Sequence, residues 1–163
     1  MTRPWHIREP ERLVELQQRV VERFPTLRFV VDDERVAMTG TYSLYDAATH
    51  IEDFRVLIEL PADFPRALPA VFELDGKSPS ESRFHRNAGD DTLCVVLPDE
   101  YWFDRSECHL VEYLEGPLRN YFLGFVHYRD LGSWPFGEHG HGVDGVREFY
   151  SKLLGTSDVA RIQ

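Results

Sequence analysis

Three prolines at a spacing of four, Pro61, Pro65 and Pro69, divide this chain into two halves that fold by different rules. Each proline removes a backbone donor and fixes its own φ, so no helix and no central strand runs through them. Before them, apolar residues recur at alternate positions: Val36, Met38, Tyr42 and Leu44, then Phe54, Val56, Ile58 and Leu60. A period of two predicts strands over Arg35–Tyr45 and across Phe54 to Leu60, with the polar tip Asp46–His50 between them. After the prolines and a polar loop the period becomes helical, through Leu110, Leu114, Leu118, Tyr121/Phe122 and Phe125. A run of strands followed by a run of helices predicts an α+β domain.

The remaining elements fit around that division. Leu13, Leu16, Val20 and Phe24 form one stripe, which predicts an amino-terminal helix over Pro10 to Phe24 with Pro10 in its first turn. Thr26 to Val31 reads as a first strand joined to the next by the turn Asp32-Asp33-Glu34, and Ala70–Leu74 as the fourth strand of an antiparallel meander. Asp104 with Glu107 resembles a capping pair at a helix start. Gly116-Pro117 is expected to kink or break the helix that follows. A Gly/His-rich turn over Gly132–Val143, expected to lay Trp134 and Phe136 on the core, precedes a last helix near Asp144–Leu154, with Gly155 as its stop.

At 163 residues and 42% hydrophobic, the chain has material for one core, so residues 1–163 are read as a single domain. A net charge of −10 without a Lys/Arg run disfavours nucleic acid as a partner. No stretch of 18 apolar residues predicts a membrane span, and the start MTRPWHIREPER lacks the apolar run of a signal peptide. The expectation is a cytoplasmic protein whose two cysteines, Cys94 and Cys108, are free thiols.

From Asp75 to Thr92 the chain has 18 residues with almost no apolar periodicity. A loop of that length inside a compact domain is either functional or disordered. Cys94 lies just past it, in the apolar run Leu93 to Leu97, so the loop is expected to order against the cysteine as a thiol's pocket. The acidic residues Asp90, Asp91, Asp99, Glu100 and Asp104 flank Cys94, and their charge is expected to raise its pKa.

Taken together, Phe64-Pro65 within the proline run, His85-Arg86-Asn87, Gly89, Cys94 and Trp102 eight residues beyond it resemble the ubiquitin-conjugating enzymes. That family has a proline-punctuated lead-in, a His-Pro-Asn motif, a Gly shortly before the active cysteine and a Trp eight residues after it. The resemblance covers Pro10 to Phe125, the core at about 10–125, and leaves 126–163 as a helical extension. It departs at Arg86, which replaces the motif's proline, at Asn87, seven residues before the cysteine instead of about eight, and in the extension itself. These departures point to the divergent bacterial branch, such as the stand-alone conjugating proteins of CBASS anti-phage operons.

The resemblance implies that Cys94 carries the carboxy terminus of a modifier protein as a thioester and passes it to an amine on a protein substrate. The modifier would be a ubiquitin-like protein or a cGAS-like nucleotidyltransferase. A thiolate is the nucleophile for such chemistry, and an amide donor lowers the barrier to the oxyanion that forms when the amine attacks. Asn87 is the candidate donor, the alternative being an amide that ties the loop to backbone. His85 has two readings as well, acid–base work and loop architecture. Cys108, near the predicted helix start, reads as a small buried apolar residue. No GxxxxGK[ST] loop and no GxGxxG turn occurs, so the acyl group is expected to arrive already activated, for instance from an activating enzyme.

Three other classes stand beside this reading: a non-catalytic binding module of the same fold, a Cys-His hydrolase, and a metal enzyme built on His109, His127, His139 and His141. The hydrolase lacks an evident third residue to orient a base. Paired CxxC or HxxxH spacings are absent, so neither a metal nor another cofactor is expected.

Overall fold

The computed structural model describes residues 3–135 and 143–155. The architecture is α+β. Helices α1 (Trp5–Arg8) and α2 (Pro10–Arg23) lead into strands β1 (Leu27–Val31), β2 (Val36–Asp46), β3 (Thr49–Leu60) and β4 (Ala70–Glu73). These form one antiparallel sheet in the order β1-β2-β3-β4. Beyond the polar loop come α3 (Pro98–Trp102), α4 (Leu110–Tyr113), a π turn (Leu114–Leu118), α5 (Arg119–Leu131) and α6 (Val143–Leu154). None of the described helices is long and apolar enough to cross a membrane.

Register puts Leu27, Gly40 and Val56 in one cross-strand row and Met38, Ile58 and Val71 in the next. Alternation along each strand therefore aims Met38, Tyr42, Leu44, Phe54, Val56 and Ile58 at the same face, where all are buried. Phe122 of α5 stacks on Phe54 at 4.0 Å and leans on Tyr42 at 5.4 Å, so sheet and helix share one core. Gly40 is required where β2 passes β1: its φ is +145°, and a Cβ there would lie 2.1 Å from the Thr26 carbonyl oxygen. The core begins earlier than position 10, because Trp5 is fully buried against Phe64 beside the proline connector, in which the Phe64-Pro65 peptide is cis.

One helix expectation fails for tertiary reasons, and another is met in its milder form. Asp104 and Glu107 do not cap a helix. Asp104 pairs with Arg105 at 2.7 Å, Glu107 reaches Arg12 of α2 at 2.6 Å, and helical structure starts at Leu110. Gly116-Pro117, expected to kink or break the helix, distorts it into a π turn without ending it. Right-handed helical dihedrals at Leu114 and Leu118 carry the chain from α4 through the π turn into α5. Proline removes one ladder bond, a wider turn makes room for its ring, and the Tyr42 hydroxyl donates to the Leu114 carbonyl at 2.7 Å. At the other end, Gly132 adopts φ +77° and stops α5.

The last helix lies where expected, but its packing is lighter. Val146, Phe149 and Tyr150 are half-buried and Leu153 is exposed. Gly155, at φ +62°, ends it. Phe136, His139 and His141 lie outside the described residues.

Candidate active site

The polar loop is ordered, and its anchor is a carboxylate inside the core. Glu73, the last residue of β4, pairs in register with Val56 on the inward face, and its side chain has no exposed surface. It accepts the backbone N–H groups of Asp75 at 2.7 Å and Ser78 at 3.1 Å, which turns the chain away from the sheet. Arg86 enters from the far end of the loop with its side chain 4% exposed and meets Glu73 at 3.5 Å. The guanidinium also donates to the carbonyls of Ser78 at 2.7 Å and Asp91 at 2.8 Å. Where the resembled family has a proline, this chain has a cation that gathers both limbs of the loop.

Cys94 sits on a short ribbon formed by the loop's two ends. Arg86 and Leu93 face each other as an antiparallel bridge, flanked by Cys94 N–H to the His85 carbonyl at 2.6 Å and Asn87 N–H to the Thr92 carbonyl at 2.8 Å. Arg86 and Leu93 point inward and are buried, whereas Cys94 is half-buried. Leu93 N–H donates to the Val71 carbonyl at 2.8 Å, which fixes the ribbon to β4. The ribbon thus brings His85, Asn87 and Cys94 together through the backbone. Turn residues make the bend possible: Gly89 has φ +120°, and Asp91 takes φ +60°, a region in which Asp is enriched among non-glycine residues.

The Asn87 amide donates to Thr92 Oγ1 at 2.9 Å, and the Thr92 hydroxyl donates in turn to Asp90 Oδ1 at 2.8 Å. Thr92 N–H bonds the same carboxylate, and these bonds hold Asp90 below the usual carboxylate range. The amide therefore ties the loop, but to the Thr92 side chain and not to backbone as in the alternative reading of Asn87. An amide has two N–H donors, and Thr92 takes one of them.

His85 occupies the left-handed region at φ 52°, ψ 48°, closing the 3-10 turn Ser82–Phe84. Its ring meets the Trp134 indole edge to face at 4.4 Å. The bond between His85 and Cys94 is a backbone one.

The Cys94 thiol is pushed above its ordinary value, and burial is the cause. The direction is the one expected, but the acidic neighbours do not supply it. Asp91 pairs with Arg86 at 3.3 Å, Asp104 with Arg105, Asp90 is held by Thr92, and Asp99 and Glu100 occupy the first turn of α3. Because only the thiolate reacts, iodoacetamide alkylation of Cys94 is expected to rise with pH through 9 without a plateau near 7. Moderate salt is expected to leave that profile in place, since burial is not screened. A plateau near neutrality, read from the pH–rate curve, would mean an activated thiolate.

Cys108 is 3% exposed, its N–H donates to the Pro65 carbonyl at 2.7 Å, and burial pushes its thiol up to about 11. Trp102 ends α3, half-buried against Tyr101. His127 Nδ1 bonds the Ser133 carbonyl at 2.7 Å, and His109 is exposed just ahead of α4. Among the described residues no group of three or more His, Cys, Asp or Glu is placed to hold a metal ion.

A cavity of about 330 Å³ lies beside the ribbon, walled by loop residues including Ser80, Glu81, Asn87 and Asp91. Cys94 does not line it. Neither the Glu73–Arg86 anchor nor the Trp134 contact was apparent in the sequence. The signal for the first was a Glu in the inward register of an otherwise apolar strand, which demands a buried cation or donors. Compared with protein-family models, with curated proteins and with solved structures, the chain matches none.

Proposed function

We propose that this chain is a ubiquitin-conjugating-like acyl transferase of the UBC fold. In this reading Cys94 holds the carboxy terminus of a modifier protein as a thioester and delivers it to an amine of a protein substrate. The observation that carries the reading is the ribbon, which ties the cysteine to the loop bearing His85 and Asn87 at the edge of β4. A conjugating enzyme tolerates a thiol held up by burial, because it is charged by trans-thioesterification from an already activated donor. The proposed setting is the bacterial cytoplasm, in anti-phage defence of the CBASS kind. The modifier is a ubiquitin-like protein or a cGAS-like nucleotidyltransferase, and an activating enzyme supplies the acyl group where the modifier needs one.

Asn87 has two duties in this scheme: one N–H ties the loop to Thr92 and the other serves the oxyanion. Losing one oxyanion donor costs on the order of 10²–10³ in rate. Asn87→Ala is therefore expected to slow discharge onto an amine about a hundredfold while slowing charging from a pre-formed thioester far less, as read by single-turnover gels. Equal slowing of both steps with a lower melting temperature would leave Asn87 as a loop tie alone.

A second reading draws on two of the same observations. The raised thiol and the engaged Asn87 amide also suit a binding module of this fold that performs no transfer. In that case no charging of Cys94 is seen at all.

A further inference from the structure

Three successive carbonyls of the turn before Asn87 are taken by three different parts of the chain. Arg83 O accepts the Trp134 indole N–H at 3.1 Å, Phe84 O accepts the Tyr121 hydroxyl at 2.8 Å, and His85 O accepts the Cys94 N–H at 2.6 Å. The first donor belongs to the segment after α5, the second to α5 itself, and the third to the cysteine. Trp134 is also the residue on which the His85 ring rests, at 4.4 Å and 88°. Its indole is held in turn by Tyr128, stacked at 5.3 Å and 14°, and the bond from His127 Nδ1 to Ser133 O fixes the residue just before it. His85 adopts left-handed backbone, which persists only where the surroundings impose it. Trp134 grips that residue by its ring and grips the turn two residues upstream by its indole N–H.

We infer that Trp134 is a positioning residue for Cys94: it holds the left-handed turn at His85, and through the His85 carbonyl it sets how far the cysteine is withdrawn from solvent. The segment beyond α5, which lies outside the region of family resemblance, thereby acts on the thiol without touching it. Movement of Trp134 off His85 frees the turn, and Cys94 loses the acceptor that ties its backbone to the other limb of the loop. The inference rests on the transferase reading only in treating Cys94 as the nucleophile. Thiol accessibility tests the one and thioester formation the other.

The experiment is the rate of iodoacetamide alkylation of each cysteine in the folded full-length protein, followed by mass spectrometry at one pH. Buried Cys108 serves as the internal reporter of general unfolding. Trp134→Ala removes the ring contacts with His85, Tyr121 and Tyr128 and one hydrogen bond, and is expected to speed alkylation of Cys94 about tenfold while Cys108 stays protected. Trp134→Phe keeps the ring and loses only the N–H, so about threefold is expected, and this milder variant decides the matter if the alanine variant does not fold. An unchanged Cys94 rate, or the two cysteines becoming reactive in parallel, would overturn the inference. The first would detach Trp134 from the turn, and the second would make it a support of the whole domain.

Discussion

Replacing Arg86 with alanine is expected to remove about 3–5 kcal/mol of folding stability, the largest loss foreseen for any single residue of the loop. The reason is asymmetric. Glu73 is wholly buried and keeps the N–H groups of Asp75 and Ser78, but without Arg86 its charge has no cation inside the core. Removing one member of a buried pair leaves the other uncompensated, which costs far more than the intact pair contributes. The guanidinium also bonds two loop carbonyls, so its loss unties both limbs at once. Stabilities of small domains are of order 5–15 kcal/mol, so the effect is easily read from urea denaturation. Arg86→Lys is expected to lose less, since it keeps the charge but not the planar fork that serves several acceptors together. A loss below about 1 kcal/mol for Arg86→Ala would place the pair with ordinary solvated salt bridges.

The same pair shows what the sequence could and could not convey. The meander was legible because alternate residues face alternate sides of a sheet, so Val36 to Leu60 spells out its own register. The ordering of the loop was legible from the apolar run that receives it. What escaped was every feature created by residues far apart in the chain. The prolyl ring at Pro117 reads locally as a kink or break, whereas the chain passes it in a π turn whose first carbonyl, at Leu114, accepts the Tyr42 hydroxyl from β2. Glu107 looks like half of a cap until Arg12, 95 residues away, claims it. Proximity in sequence also misled: five acidic residues flank Cys94, yet their carboxylates have partners or places elsewhere and burial alone governs the thiol. Trp134 was expected to lie on the core. It does so, but its contact with His85 depends on how α5 ends at Gly132, which no local pattern encodes.

The second large effect is all or none. An acyl thioester needs a sulfur, so Cys94→Ala is expected to abolish any adduct, and Cys94→Ser to convert it into an oxyester that accumulates because an alcohol is a poorer leaving group than a thiol. Cys108 is buried with its thiol pushed up to about 11, and Cys108→Ala is expected to leave the adduct unaltered. The most direct measurement is to recover tagged wild-type, Cys94→Ser, Cys94→Ala and Cys108→Ala proteins from the cells that encode this chain, under acid and without reductant, and to weigh each intact. The account predicts a protein-sized mass increment on the wild type and on Cys108→Ala that dithiothreitol removes. It predicts the same increment on Cys94→Ser, resistant to dithiothreitol but cleaved by hydroxide, and no increment on Cys94→Ala. An increment that survives in Cys94→Ala, or that disappears only when Cys108 is replaced, would contradict it.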